Sequence, residues 1–211
     1  MRRGNSYTHF IVRDTFPLDA FSHLVKMHIL KSSFRKKIRK PKDITMINPR
    51  YALVQHSKMF WMAEAIKLNP FQTQTFFWMD AGYSRFIPDK AFVKPFPVSS
   101  KVDWLVREKK MYVGVARATK KEMDKMTEIT LDDAVGTSKS FFEGNMWGGW
   151  GEAVYQMATT TLSLFFEALS LNSIDNEQVT MFLAYKKHPS TFAYVKVKNA
   201  DAGFTYMSTE E

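Results

Sequence analysis

Apolar residues recur at helical spacing in four stretches of the chain. Residues 18 to 40 place Leu18, Phe21, Leu24, Val25, His28, Ile29 and Phe34 at i, i+3 and i+4, which predicts an amphipathic helix ending before Pro41. Tyr51 to Leu68 predicts a second helix, with Leu53, Val54, Phe60, Trp61, Ala65 and Leu68 available for burial and Asn69-Pro70 as its stop. Glu152 to Leu171 predicts a long third helix whose stripe carries Val154, Met157, Leu162, Phe165, Phe166 and Leu169. A fourth opens at Asp175-Asn176-Glu177-Gln178 and runs through Lys187 to His188-Pro189, with Asp175 able to cap it and Glu177 within its first turn.

Strand patterns fall between these helices. Thr75-Phe76-Phe77-Trp78-Met79 is continuously apolar, as expected for a strand covered on both faces of an α/β sheet. Phe10 to Val12, Asp43 to Ile47, Val102 to Val106, Met111 to Val115 and Thr191 to Val197 are further strand candidates. The polar segment from Lys120 to Asp133 reads as helix or loop, and the tail from Asp201 to Glu211 as frayed. Phe141 to Gly151 puts four Gly and two Trp into one short stretch, a composition that neither an ordinary helix nor an ordinary strand favours. It reads as a loop, either binding or structural.

Composition narrows the class. With 211 residues, 45% hydrophobic and 15% aromatic, the chain can bury a core, which excludes disorder, collagen and coiled coil. It reads as one domain over 1–211, made of a basic N-terminal segment (1–47), a core (48–198) and a tail (199–211). Glu, Lys, Asn and Gly interrupt every apolar run well short of the roughly 20 residues that span a bilayer, and Phe10-Ile11-Val12 is too short for a signal-peptide core. A cytoplasmic or membrane-peripheral location is therefore expected. The chain has no Cys, which removes disulfides, thiolate zinc sites and cysteine nucleophiles together. Its five His lack the spacing of a histidine metal site.

The net charge of +9 is N-terminal: residues 1 to 70 hold 14 Lys/Arg against 4 Asp/Glu, and residues 71 to 211 hold 16 against 17. The excess peaks at residues 31 to 42, a run that reads as a solvated helix face or as a patch for an anionic membrane surface, a phosphorylated substrate or nucleic acid. Nucleic acid is the weaker partner, because the run lacks regularly interleaved aromatic residues.

Two features carry chemistry. Asp80-Ala81-Gly82 puts a carboxylate and a Gly turn directly after the apolar 75–79 strand, where open α/β sheets place ligands; the alternative is an Asp that only caps the turn. In the Gly/Trp stretch, Gly148 and Gly149 would let a ligand approach the backbone closely, and Trp147 or Trp150 would stack on a sugar. No Gly-Lys-Ser/Thr follows, so it is not a phosphate-binding P-loop.

Taken together, Gln55-His56-Ser57-Lys58, Asn69-Pro70-Phe71, Phe77-Trp78-Met79-Asp80-Ala81-Gly82 with Arg85-Phe86, the Glu143-Gly144-Asn145-Met146-Trp147-Gly148-Gly149 stretch and Asp175-Asn176-Glu177-Gln178 resemble the WlaTC/HtrL (YibB-like) glycosyltransferase family over roughly residues 48 to 195. The resemblance implies a GT-A-like fold, an α/β domain with a mainly parallel sheet flanked by helices, and here an abbreviated N-terminal nucleotide-binding half. It implies transfer of a sugar from a nucleotide-sugar donor to a glycan acceptor in surface-polysaccharide synthesis. Asp80 would then hold Mn²⁺ or Mg²⁺ against the diphosphate, although Ala81-Gly82 stands where a second acidic residue is usual. Lys58 and Arg85 would offset the leaving group's charge, and Asp175, Glu177 or Glu143 would deprotonate the acceptor. Trp147, Gly148 and Gly149 would line the pocket, His56 would orient phosphate or sugar hydroxyls, and Asn145 and Gln178 would join the substrate contacts. Two alternatives stay open: a degenerate relative that binds glycan without turnover, and a basic module for a membrane surface or nucleic acid.

Overall fold

A computed structural model describes residues 8–38, 40–87, 95–115, 130–135, 142–196 and 202–210, apart from the side chains of Thr45 and Ala202. The chain is a mixed α/β protein. Its N-terminal part is helical: α1 (Ser22–Leu30), α2 (Ser32–Lys37), α3 (Ile44–Ile47) and α4 (Pro49–Leu68). The amphipathic stretch expected over 18–40 breaks at Lys31, whose ψ of 132° turns the chain so that Phe34 and Ile38 reach the core. Beyond that bend the lysines stay outside, and Lys37 pairs with Asp132 at 2.7 Å. Arg39 lies outside the described residues. The strand expected at 43–47 is instead α3, because Met46 is drawn fully into the core and outweighs the β-branched neighbours. The Phe10–Val12 segment joins no strand pairing.

Helix α4 forms as its sequence predicts. Asn48 accepts from the Arg50 amide at 3.1 Å, Pro49 occupies the first turn, and Asn69 ends the helix in the left-handed region at φ 35°. After it come β1 (Thr75–Met79), α5 (Ser99–Arg107) and β2 (Met111–Val115), then α6 (Leu131–Ala134) and β3 (Phe142–Trp150). The last elements are α7 (Gly151–Ser170), α8 (Glu177–Lys187), β4 (Phe192–Lys196) and α9 (Ala202–Met207). The strand expected at 102–106 is helix α5, a five-residue window in which strand and helix patterns look alike; Leu105 is its buried contact. Most of the 120–133 segment lies outside the described residues, and its end forms α6. The tail is not frayed: α9 buries Phe204 and Met207 against the sheet.

The sheet has the order β1-β3-β2-β4. Strands β1, β2 and β4 run the same way, but β3 runs against them from between β1 and β2. Only the β2–β4 pairing is therefore parallel, and the sheet is mixed rather than mainly parallel. Among the described strands β1 and β4 are the two edges, and β1 is half-buried where full coverage was expected. Helices α4, α7 and α8 enclose the main core on one face. On the other face α5 and α9 pack around Tyr83, Tyr112 and Met146, and a further cluster joins α1 to α3 with α4 and the end of α7.

The glycine-rich stretch is β3 itself, and this overturns its reading as a loop. Gly148 and Gly149 have φ of 157° and 145°. A Cβ at Gly148 would lie 2.3 Å from the Phe76 carbonyl oxygen, and one at Gly149 2.6 Å from that of Lys110. The close approach these glycines allow is to neighbouring strands, not to a ligand. No helix among the described residues is long and apolar enough to cross a membrane.

The glycines make separable predictions. Gly149→Ala lowers unfolding free energy by about 2 kcal/mol or more, because the β2 backbone blocks the new methyl. Gly82→Ala stays within about 0.5 kcal/mol, since φ is −88° there and the nearest atoms to a new Cβ belong to the Arg85 guanidinium at 3.9 Å. Urea unfolding of the two variants checks both.

Candidate functional site

Four separate elements meet at one end of β1. On α4, Tyr51, Gln55 and Lys58 fall at i, i+4 and i+7, one helical face, with Val54 and Trp61 beside them. Trp78 and Asp80 are two apart at the end of a strand and so share a side. Because β3 is antiparallel to β1, its first residues, Glu143, Gly144 and Asn145, lie beside Asp80, whose amide donates to the Asn145 carbonyl at 2.9 Å. Helix α8 contributes Glu177 and Gln178 from its first turn, where Asn176 accepts from the Val179 amide at 3.1 Å. Together these residues line a cleft of about 380 Å³.

The Lys58 ammonium sits at its base. Nζ is 2.9 Å and 3.0 Å from the two Asp80 carboxylate oxygens, 3.1 Å from the Gly144 carbonyl oxygen and 3.1 Å from Glu177 Oε1. Trp78 Nε1 donates to Asp80 Oδ1 at 2.7 Å, fixing that carboxylate from the strand side. Lys58 and Glu177 are 8% and 1% exposed, whereas the Asp80 side chain is 35% exposed and faces the cleft. Burial alone disfavours the ammonium, but the carboxylates of Glu177 and Asp80 reverse that effect and hold its pKa above the ordinary lysine value. The Tyr51 hydroxyl is pushed up by burial and then by Glu177. A Cβ at Gly144 would lie 2.3 Å from Glu177 Oε1, so a side chain there would push that carboxylate from its place beside Lys58.

Two further properties define the cleft. The buried oxygens Gln55 Oε1, Glu177 Oε2 and Gln178 Oε1, all on lining residues, have no hydrogen-bond partner among the described residues. Trp61 and Trp78 stack at 6.1 Å with 6° between their planes, and Trp78 stacks in turn on Trp147 at 6.2 Å. A flat aromatic wall therefore stands beside the charged base.

Of the residues expected at a site, Lys58, Asp80, Glu143, Asn145, Glu177 and Gln178 converge on this cleft. The others do not line it. His56 is fully buried, with Nδ1 2.9 Å from the Ala52 carbonyl oxygen, Nε2 3.0 Å from Thr180 Oγ1 and its ring on Phe165, so it ties α4 to α7 and α8. Arg85 is exposed, its guanidinium 4.7 Å from the Phe86 ring centroid. Trp147, Gly148 and Gly149 are inside the sheet. Asp175 is 1% exposed and accepts from the Asn176 amide at 2.7 Å; Asn176, not Asp175, caps α8. Gly144, Tyr51, Gln55, Trp61 and Trp78 were missed. The spacing of Tyr51, Gln55 and Lys58 and the Trp78-x-Asp80 alternation were signals for three of them, but nothing local marked Gly144 or Trp61.

The seat expected for a divalent cation at Asp80 is taken. Both Asp80 oxygens and Glu177 Oε1 are bonded to the Lys58 ammonium. Among the described residues, no group of three or more His, Cys, Asp or Glu side chains could hold a metal ion. With the ammonium in place, these residues do not fit a divalent cation.

Fold and cleft thus define a mixed α/β protein with a buried lysine caged by oxygens at the end of an edge strand. Residues 23–208 match the family described as a bacterial protein of unknown function, HtrL_YibB, and the chain belongs to it. The match takes in the N-terminal helices as well as the segment from 48 to 195. No curated protein and no solved structure matches the chain.

The burial of His56 predicts an acid limb of stability. Desolvation lowers its pKa from 6.5 to about 4, so as pH falls below 6.5 the unfolded chain takes a proton that the folded one refuses. The stability held by neutral His56 is complete above pH 6.5 and is lost towards pH 4, about 3 kcal/mol in all. Urea midpoints at pH 7.5 and 4.5 are expected to fall further for the wild type than for His56→Gln. Equal falls would contradict the assignment.

Proposed function

We propose that the cleft is the site of glycosyl transfer from a nucleotide-sugar donor to a glycan acceptor. The observation that carries this reading is the convergence on one aromatic-walled cleft of a fixed ammonium, Lys58, with three carboxylates, Asp80, Glu143 and Glu177. In a single displacement, an acceptor hydroxyl oxygen attacks the anomeric carbon. The bond to the diphosphate breaks with its electron pair on the departing oxygen, and the hydroxyl proton passes to a carboxylate.

Glu143 suits the base role best, because it lines the cleft and is only half-buried. Glu177 is bonded to Lys58, and Asp175 does not line the cleft. Among the described residues Lys58 is the only Lys, Arg or His in the lining, and its three N–H groups are spent on Asp80, Gly144 and Glu177. Asp80, the exposed partner, is the one a departing phosphate displaces to reach that charge. The Trp61–Trp78 wall offers a sugar or base face a surface to stack on.

A second reading, glycan binding without turnover, has one observation in its favour. The described residues before β1 contain helices and no strand, so they supply no βα unit for a nucleotide.

Release of nucleoside diphosphate from UDP- and GDP-sugars, and of CMP from CMP-sugars, tests the proposal, with Mn²⁺ and with EDTA. Release by the wild type is expected to fall about a hundredfold or more in Glu143→Gln, which removes the base. Folded protein that is silent across the panel but binds glycan saturably would overturn transfer and leave the second reading.

A further inference from the structure

The resemblance to a GT-A-like transferase places a divalent cation at Asp80, yet the residue two positions on is Gly82 rather than a second acid. The cleft meets this lack in another way. Asp80 after β1, Gly144 on β3 and Glu177 at the start of α8 direct four oxygen atoms at one point, and α4 delivers a primary amine to it. The distances, 2.9 to 3.1 Å, are those of N–H···O bonds, longer than the roughly 2.0–2.6 Å of Mg²⁺ or Ca²⁺ to oxygen. Yet the chemistry of the cage, two carboxylates and a carbonyl, is the hard-oxygen set that such ions select.

We infer that the Lys58 ammonium is the resident cation of this cleft, seated in an oxygen cage that would otherwise take a divalent ion, and that the protein works without one. A metal entering beside it would put a double positive charge against a buried ammonium. A metal replacing it would force that ammonium off Glu177, which is 1% exposed. Covalent tethering keeps the lysine always present, and Gly144 keeps the cage closed, since a Cβ there would meet Glu177 Oε1. For catalysis the inference rests on the glycosyl-transfer reading, giving a transferase independent of divalent cations. The occupancy of the cage does not depend on that reading.

Manganese alone is the probe. Protein dialysed against EDTA is titrated with Mn²⁺ while the electron paramagnetic resonance signal of the free ion is followed, for wild type, Lys58→Ala and Lys58→Ala/Asp80→Asn. The wild type is expected to leave the signal unchanged. Lys58→Ala is expected to remove one Mn²⁺ per chain, about a hundredfold tighter than any uptake by the wild type, and to melt higher with Mn²⁺ than with EDTA. The double variant is expected to lose that uptake.

Asp80-dependent uptake by the wild type overturns the inference, as does a folded Lys58→Ala that takes up none. If Lys58→Ala does not fold, the wild type against Asp80→Asn still decides. Uptake that the Asp80→Asn substitution abolishes overturns the inference, and no uptake by either upholds it. Turnover is not read in any arm, so a silent donor panel would count against transfer alone.

Discussion

The structure turns on a buried ammonium held between two carboxylates. Glu177 is almost wholly enclosed and Lys58 nearly so, and neither charge is tolerable there without the other. Everything that brings them together is consequently constrained. Helix α4 must present Lys58 towards α8, β3 must pass between with no side chain at position 144, and Asn176 must start α8 where Glu177 enters the cage. Asp80 closes the cage from the solvent side, steadied by the Trp78 indole.

That constraint accounts for the shape of the sheet. A reversed β3 beside β1 is what sets Glu143, Gly144 and Asn145 against the end of β1. To make that placement β3 must pack its backbone tightly between β1 and β2, which Gly148 and Gly149 permit. Trp147, one residue earlier, stacks on Trp78 and so links the core to the cleft wall. Within that stretch Trp147, Gly148 and Gly149 are thus the scaffold of the cleft, while Glu143, Gly144 and Asn145 line it.

The sequence made some of this legible and hid the rest for physical reasons. Helices α4, α7 and α8 were readable because their periodicity runs long, and the ends of α4 and α8 also carry Asn or Pro signals. β1 and β2 were readable as apolar runs. Short elements failed: α3 and α5 are set by which single residue, Met46 or Leu105, the core draws in. Strand β3 failed because its glycines answer to neighbouring strands, which local composition does not reveal. Within the cleft, Asp80 was visible from its place after a strand. The bond between Lys58 and Glu177 spans 119 positions and leaves no local pattern. His56 misled because a histidine that crosslinks three helices looks, in sequence, like one that faces a ligand.

The most direct test of the caged lysine is a double-mutant cycle on folding stability with Lys58→Met, Glu177→Gln and the pair, measured by urea unfolding at neutral pH. Lys58→Met alone is expected to cost about 3–5 kcal/mol, because it strands the Glu177 charge in the interior. The pair is expected to cost less than the sum of the two single changes by about 2 kcal/mol. Single changes that add to within about 0.5 kcal/mol would mean the two side chains do not hold each other, and would contradict the account.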